Sequence, residues 1–263
     1  MINIYTFAHK RPDFIELQLK SFKKHLADDF NFIVFNNASF DLDKKNYNEI
    51  HNICRNNSLT CIDMKIDKPL VKSLEAYDNE RIFDNNGVYF NAVVACAYPL
   101  CYAWKNLISE NKGLVCIIDS DMFYINNENI SEKLSKYDLL FLSQSSGHVK
   151  YMWNGILYMN LDAMENKKEL NWWCGRIEGQ PLDVGGHTYH YLNKYSKNLK
   201  IKHFGQEHIK EDSECDFFPP NYEYIGVDGS KFILHYRGGS NWDAKTPDYH
   251  DKKTKWLIRR LDA

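Results

Sequence analysis

Asp119 and Asp121 stand one residue apart at the end of the apolar run "LVCII" (114–118). Two carboxylates this close repel each other unless something positive sits between or beside them. A hard divalent cation that keeps some of its waters and binds phosphate oxygens is a common solution. The D-x-D spacing also arises by chance, and a pair of aspartates capping a loop would give the same string. Far downstream, "FILHYRGGSNW" ends another apolar run in His235, Arg237, Gly238, Gly239 and Ser240. There a guanidinium offers phosphate a charged donor, and the glycines let backbone N–H groups approach closely.

These residues need a frame. The first half of the chain alternates: a strand over 2–7, a helix over about 12–26, strands over 31–36 and 60–66 around a helix over 43–56, a helix over 91–109 and a strand over 114–118. That is the rhythm of a parallel α/β sheet. Ile15, Leu19, Phe22 and Leu26 mark one face of the first helix, and Pro12 suits its first turn. "FNFIVF" and "LVCII" are nearly continuous apolar runs, as expected of strands covered on both faces. Asp119 and Asp121 then fall at the carboxyl end of a parallel strand, where open α/β sheets bind ligands. Beyond them the rhythm breaks into strands over 138–143, 155–161 and 231–236 among aromatic, glycine-bearing loops. The basic C-terminal run "DYHDKKTKWLIRRLDA" reads as a helix over 246–263 with a solvated face.

Composition excludes some partners. With 33 basic and 35 acidic residues in 263, the formal net charge of −2 gives no general attraction for nucleic acid. "NAVVACAYPLCYAW" (91–104) is too short to span a bilayer and contains Pro99, so it reads as a buried helix, leaving peripheral membrane association open. Met1 leads directly into "INIYTF" without the features of a secretory signal, and a cytoplasmic location is expected. Seven cysteines with no C-x-x-C pair fit reduced core residues, Cys96, Cys101 and Cys116 among them.

The opening "YTFAHKRP…NNAS" resembles the start of glycosyltransferases with the GT-A fold, and "IIDSD" matches the D-x-D of that family in kind and place. "WNGILYMNL" is similar to its N-x-G-hydrophobic strand, and "LHYRGGS" to the late histidine and glycine-bearing loop. The resemblance runs from Ile2 to about Trp242 and implies an α/β fold: one GT-A-like domain with a Rossmann-type nucleotide-sugar-binding half (1–121), a mixed-strand acceptor half (122–245) and a C-terminal helix (246–263). By the same resemblance, Thr6, Phe7, Ala8 and Arg11, with Asn36 and Asn37, bind the donor nucleotide. Asn36 and Asn37 also read as a turn closing a strand. Asp119 reaches the ribose or the metal, Asp121 and His235 ligate Mn²⁺ or Mg²⁺, and Arg237, Gly238, Gly239 and Ser240 meet the diphosphate. Trp153, Asn154 and Gly155 border the transferred sugar and the acceptor, or else form a tight turn before a core strand.

The implied reaction moves a sugar from a nucleoside-diphosphate sugar to a hydroxyl of a glycan, a lipid-linked sugar or a protein, as in hexosyltransferases of glycan biosynthesis. Asp183 is the candidate base that takes the acceptor's proton, and direct displacement would then invert the anomeric centre. Asp183 also reads as the N-cap of a helix over "HTYHYLNKY". The order N-x-G, Asp, H-x-x-G resembles retaining families as well. Trp172 and Trp173 are candidates for a sugar-stacking wall, or for buried aromatics. Three other functions remain: a zinc hydrolase built on His187, His190, His203 and His208, though without an H-E-x-x-H pattern; a sugar-1-phosphate nucleotidyltransferase, though "YTFAHKRP" lacks a glycine-rich loop; and a non-catalytic carbohydrate-binding protein that uses the 14% aromatic content.

Overall fold

The computed structural model describes residues 1–39, 41–78, 82–83, 89–240 and 244–262. Trp242 and Ala263, the far ends of the resemblance and of the expected last helix, lie outside them. Strand β1 (Ile2–Ala8), helix α1 (Asp13–His25), β2 (Phe30–Asn36), α2 (Lys44–Asn56), β3 (Thr60–Asp63), α3 (Lys68–Asp78), α4 (Ala92–Asn106) and β4 (Leu114–Ile118) form the first half in the expected alternation, with α3 an addition. After Asp121 come β5 (Met122–Tyr124), α5 (Ile130–Lys136), β6 (Leu139–Ser146) and β7 (Val149–Asn160). Then follow the hairpin of β8 (Gly175–Ile177) and β9 (Gln180–Leu182), α6 (Thr188–Tyr195), β10 (Ile201–His203), β11 (Gly205–Ile209), β12 (Tyr222–Gly226), β13 (Ile233–His235) and α7 (Pro247–Asp262).

The main sheet has the order β10-β6-β7-β4-β1-β2-β3. Strands β3, β2, β1 and β4 are parallel, and β7 runs against both β4 and β6. This is the α/β sheet, followed by a mixed-strand half, that the resemblance implies. Side-chain alternation divides the core. Tyr5, Phe35, Ile117 and Leu157 face one layer with α4, Trp104 and Trp172, while Ile4, Val34, Cys116 and Ile156 face the other with α1. Burial on both faces is why the strands read as unbroken apolar runs. A second, antiparallel sheet, β11-β12-β13-β5, packs its own aromatic cluster against α7.

Helix boundaries follow from local chemistry. α1 carries Asp13 and Glu16 in its first turn and Lys23, Lys24 and His25 in its last, matching the helix dipole at both ends. Asn91 caps α4 by accepting from the Val94 N–H at 2.9 Å. Among the described residues no helix is long and apolar enough to cross a membrane. α7 has the expected solvated face, and an opposite face on which Tyr249, Lys253, Trp256, Leu257 and Leu261 are buried. Two expectations need correction. Trp172 and Trp173 are enclosed in the core and form no sugar-facing wall; Trp172 packs edge-on against Trp104. Cys101 and Cys116 are buried as expected, but Cys96 is exposed on the first turns of α4, close enough to Asp119, Asp121 and Asp183 for their charges to act on it.

Candidate active site

Strand register brings the distant motifs together. The β4–β7 ladder pairs Ile118 with Ile156, so the next residues meet beyond its end: the Asp119 N–H donates to the Gly155 carbonyl at 2.8 Å. One residue further along, the Asn154 amide donates to Asp119 Oδ1 at 3.1 Å. In the second sheet, β13 pairs His235 with Met122, placing the imidazole beside Asp121. The Asp121 carbonyl accepts from Tyr236 N at 2.8 Å, and its Oδ2 accepts from Gly239 N at 3.0 Å. A Cβ on residue 239 would lie 2.7 Å from Asp121 Cβ and 2.9 Å from a ring carbon of Phe14, which explains the glycine. Gly155 has a similar reason: a Cβ there would fall 2.2 Å from the Trp153 ring, which lies along the strand with its centroid 5.5 Å from that of His235.

The electrostatics are those of a crowded anionic pocket. Burial, and then the charge of Asp121, push the Asp119 carboxyl up to about 7. Burial acts upward on Asp121 too, but the His235 imidazole and the Gly239 N–H outweigh it and hold Asp121 below its ordinary range. Burial alone would lower His235, yet Asp121 and Glu223 on either side raise it to about 9. The positive partner that the sequence demanded is here the His235 imidazolium, with Nε2 3.4 Å from Asp121 Oδ1.

Asp183 borders the same space, close enough for its charge to raise Asp119. It is not a helix cap: α6 starts at Thr188, while Asp183 Oδ1 accepts from the adjacent Val184 N at 2.8 Å. Burial raises its carboxyl above the ordinary range. Gly185 at φ +87° lets this loop pass the Met152 carbonyl, which would lie 2.0 Å from a Cβ.

The other expected donor residues are placed as follows. Thr6 and Ala8 are fully buried at the end of β1, with Phe7 half-buried between them, and Ala8 pairs with Asn36 at the end of β2. Asn36 ties its turn to the Tyr47 carbonyl at 3.2 Å, and Asn37 ties it to the Ala95 carbonyl at 3.0 Å. Arg11 is held by Asp13 and Thr254, with its guanidinium 3.8 Å from the Phe14 ring centroid. Arg237 is turned away from Asp121 onto His208 at 2.9 Å and Glu223 at 3.3 Å. Gly238 is buried and Ser240 exposed on the same loop.

The zinc arrangement does not assemble. His187, just before α6, and His190 on it have ring centroids 5.7 Å apart, whereas His203 packs on Phe141 and His208 sits at Glu223 in the other sheet. Among the described residues no three His, Cys, Asp or Glu side chains already surround a point where an ion could sit. That includes Asp119, Asp121 and His235. These three do fit Mn²⁺ or Mg²⁺ in donor chemistry, two carboxylates and an imidazole whose proton a cation would replace.

Three residues were missed in the sequence. Gln18 on α1 is fully buried and donates to the carbonyls of both Asp119 (2.8 Å) and Met122 (3.0 Å), clamping the turn between them. Lys253 on α7 donates to the Arg237 and Asn221 carbonyls, each at 3.0 Å. Glu223 lies behind His235, whose Nδ1 is 2.9 Å away. Gln18 and Lys253 did leave a signal, as polar residues within the apolar stripes Phe14–Gln18–Phe22 and Tyr249–Lys253–Leu257.

No family model and no curated protein matches the chain. Among solved structures it is similar to residues 1–349 of S. aureus TarS, at 14% identity over 77% of this chain and 57% of that one, with a TM-score of 0.43. It is similar to the galactosyltransferase LgtC in complex with donor and acceptor sugar analogues, at 10% identity over 76% of this chain and 72% of that one, TM-score 0.41. It is also similar to the mannosyltransferase PcManGT of Pyrobaculum calidifontis in complex with GDP-Man and Mn²⁺, at 11% identity over 76% of this chain and 53% of that one, TM-score 0.41. The chain spans little more than half the length of two of these three. At such identities the likeness is one of fold.

Proposed function

We propose that the chain is a metal-dependent GT-A glycosyltransferase that moves a sugar from a nucleoside-diphosphate sugar to a hydroxyl acceptor. The observation that carries this reading is the meeting of Asp119, Asp121, Asn154, His235 and the Gly239 N–H at the carboxyl edge of parallel strands. They come from three segments that the sequence keeps far apart. Asp119, Asp121 and His235 would hold Mn²⁺ or Mg²⁺, which supplies charge neutralisation for the departing diphosphate. Asn154 orients Asp119, and Gly239 orients Asp121. Half-buried Phe7 is the part of this strand end left accessible to the nucleoside, with Thr6, Ala8, Asn36 and Asn37 buried beneath it as support. Asp183, whose raised affinity for a proton suits a base, takes the acceptor's proton as its oxygen attacks the anomeric carbon, and this displacement inverts the centre.

The test measures release of nucleoside diphosphate from a panel of sugar nucleotides, with Mn²⁺ and with EDTA. Turnover is expected with Mn²⁺ only. Asp121→Ala should bring it below about 1% of wild type, on the scale of losing one group that stabilises developing charge, with the far-UV circular dichroism unchanged. Wild-type turnover in Asp121→Ala, or turnover unaffected by EDTA, would refute the metal assignment.

A further inference from the structure

We propose that Glu223 is a positioning residue that fixes which nitrogen of His235 faces the carboxylate pair. The proposal rests on the reading of His235 as a cation ligand. In the second sheet β11 pairs His208 with Glu223, β12 pairs Glu223 with His235, and β13 pairs His235 with Met122, next to Asp121. One cross-strand row therefore runs from the exposed edge of this sheet to the site.

Glu223 is buried, with both carboxylate oxygens occupied from this row and its neighbours. Oε2 accepts from His235 Nδ1 at 2.9 Å and from Gln206 Nε2, while Oε1 pairs with Arg237 at 3.3 Å, whose guanidinium also donates to His208 Nδ1 at 2.9 Å. The ladder hydrogen bonds already hold these strands, so the sheet itself has no need of a buried carboxylate. What the carboxylate does impose is a direction. With Nδ1 turned onto Glu223, Nε2 is the ring nitrogen presented to Asp121, 3.4 Å from its Oδ1. A carboxylate behind a ligating histidine generally fixes ring orientation and raises ligand basicity, and its loss weakens metal binding about 10–100-fold. Arg237, expected from sequence at the diphosphate, here lies on Glu223 Oε1 at 3.3 Å and leaves Oε2 to His235.

The experiment titrates the full chain with Mn²⁺ alone and, separately, reads the nitrogen-15 shifts of the neutral His235 ring without metal. Glu223→Ala should weaken Mn²⁺ binding about 10–100-fold and mix the two ring tautomers. Glu223→Gln, which keeps the shape and an accepting oxygen, should fall between it and wild type. Glu207→Gln, on the exposed neighbour in β11, should change neither readout. If Glu223→Ala does not fold, Glu223→Gln decides alone. Glu223 variants that bind Mn²⁺ like wild type and keep the Nδ1–H tautomer, while Asp121→Ala loses the ion, would overturn this inference and leave the proposed function standing. Wild type that binds no Mn²⁺ would overturn both.

Discussion

Lys253→Met tests whether the last helix sets the site from beneath. Lys253 is fully buried, and its ammonium donates to the carbonyls of Arg237 and Asn221 and lies 4.1 Å from the Tyr236 ring centroid. Arg237 and Gly238 have φ of +59° and +73°, a left-handed pair that delivers the Gly239 N–H to Asp121. Arginine pays a steric penalty in that region, so an interaction that grips its carbonyl helps to keep it there. Methionine keeps the unbranched length and can pack its sulfur on the ring, which isolates the ammonium. Two hydrogen bonds from a charged donor are lost and two carbonyls are left short, at about 1.5–3 kcal/mol each, partly offset because no charge remains buried.

The net expectation is about 2–4 kcal/mol of lost stability, which for a chain of this size lowers the melting temperature by about 5–15 °C. The loop should loosen as well. Below its melting point, Lys253→Met should therefore bind Mn²⁺ more weakly than wild type, whereas a variant destabilised elsewhere should not. Thermal melts and Mn²⁺ titrations at one temperature, well below both transitions, separate the two effects. A variant that melts within a degree of wild type and binds Mn²⁺ equally would refute the assignment of Lys253 to the loop.

Two further outcomes follow from packing and burial. Gly155→Ala places a methyl group 2.2 Å from the Trp153 ring and 2.7 Å from Met122 Cε, so urea unfolding should show about 1–3 kcal/mol of destabilisation, part of it recovered when Trp153 is also shortened to alanine; an unchanged midpoint would contradict the geometry. Burial pushes the Glu128 carboxyl above its ordinary range against the pull of Lys133, so the folded chain holds this proton more tightly than the unfolded one, which titrates near about 4.3. Its stabilising contribution is complete below that pH and is lost as pH rises through the raised folded value. Glu128→Gln should therefore gain in melting temperature relative to wild type as pH climbs from about 4.3, and a difference that stays flat with pH would count against it.

Strands β1, β2 and β4 were legible because burial on both faces makes them apolar runs, and helix α1 because its apolar stripe is the face it buries. Of the second sheet only β13 was legible, within the apolar run over 231–236; β5 is three residues long, and β11 and β12, "GQEHI" and "YEYIG", carry no continuous apolar run to mark them. Motif residues were legible by type, and register then explained why Asp119 meets Asn154 and Asp121 meets His235. Trp172 and Trp173 show the opposite case: aromatic character suits a sugar wall and a core equally, and only packing against Trp104 decides. Glu223 left no trace in "YEYIG", where its carboxylate has meaning only through partners on two other strands.

The D-x-D marks the crossing from one sheet to the other, and this gives its two carboxylates different supports. β4 ends just before Asp119 in the parallel sheet, and β5 begins just after Asp121 in the antiparallel one. Asp119 is accordingly held by Gly155 and Asn154 of β7, while Asp121 is held by Tyr236 and Gly239 beyond β13. Their separation is thus set by how the two sheets pack, more than by the single residue between them. Gln18 is the side chain that binds both sides, since its amide holds the carbonyls of Asp119 and Met122 together. A pair of like charges needs such bracing on each side, because repulsion would otherwise turn the carboxylates apart.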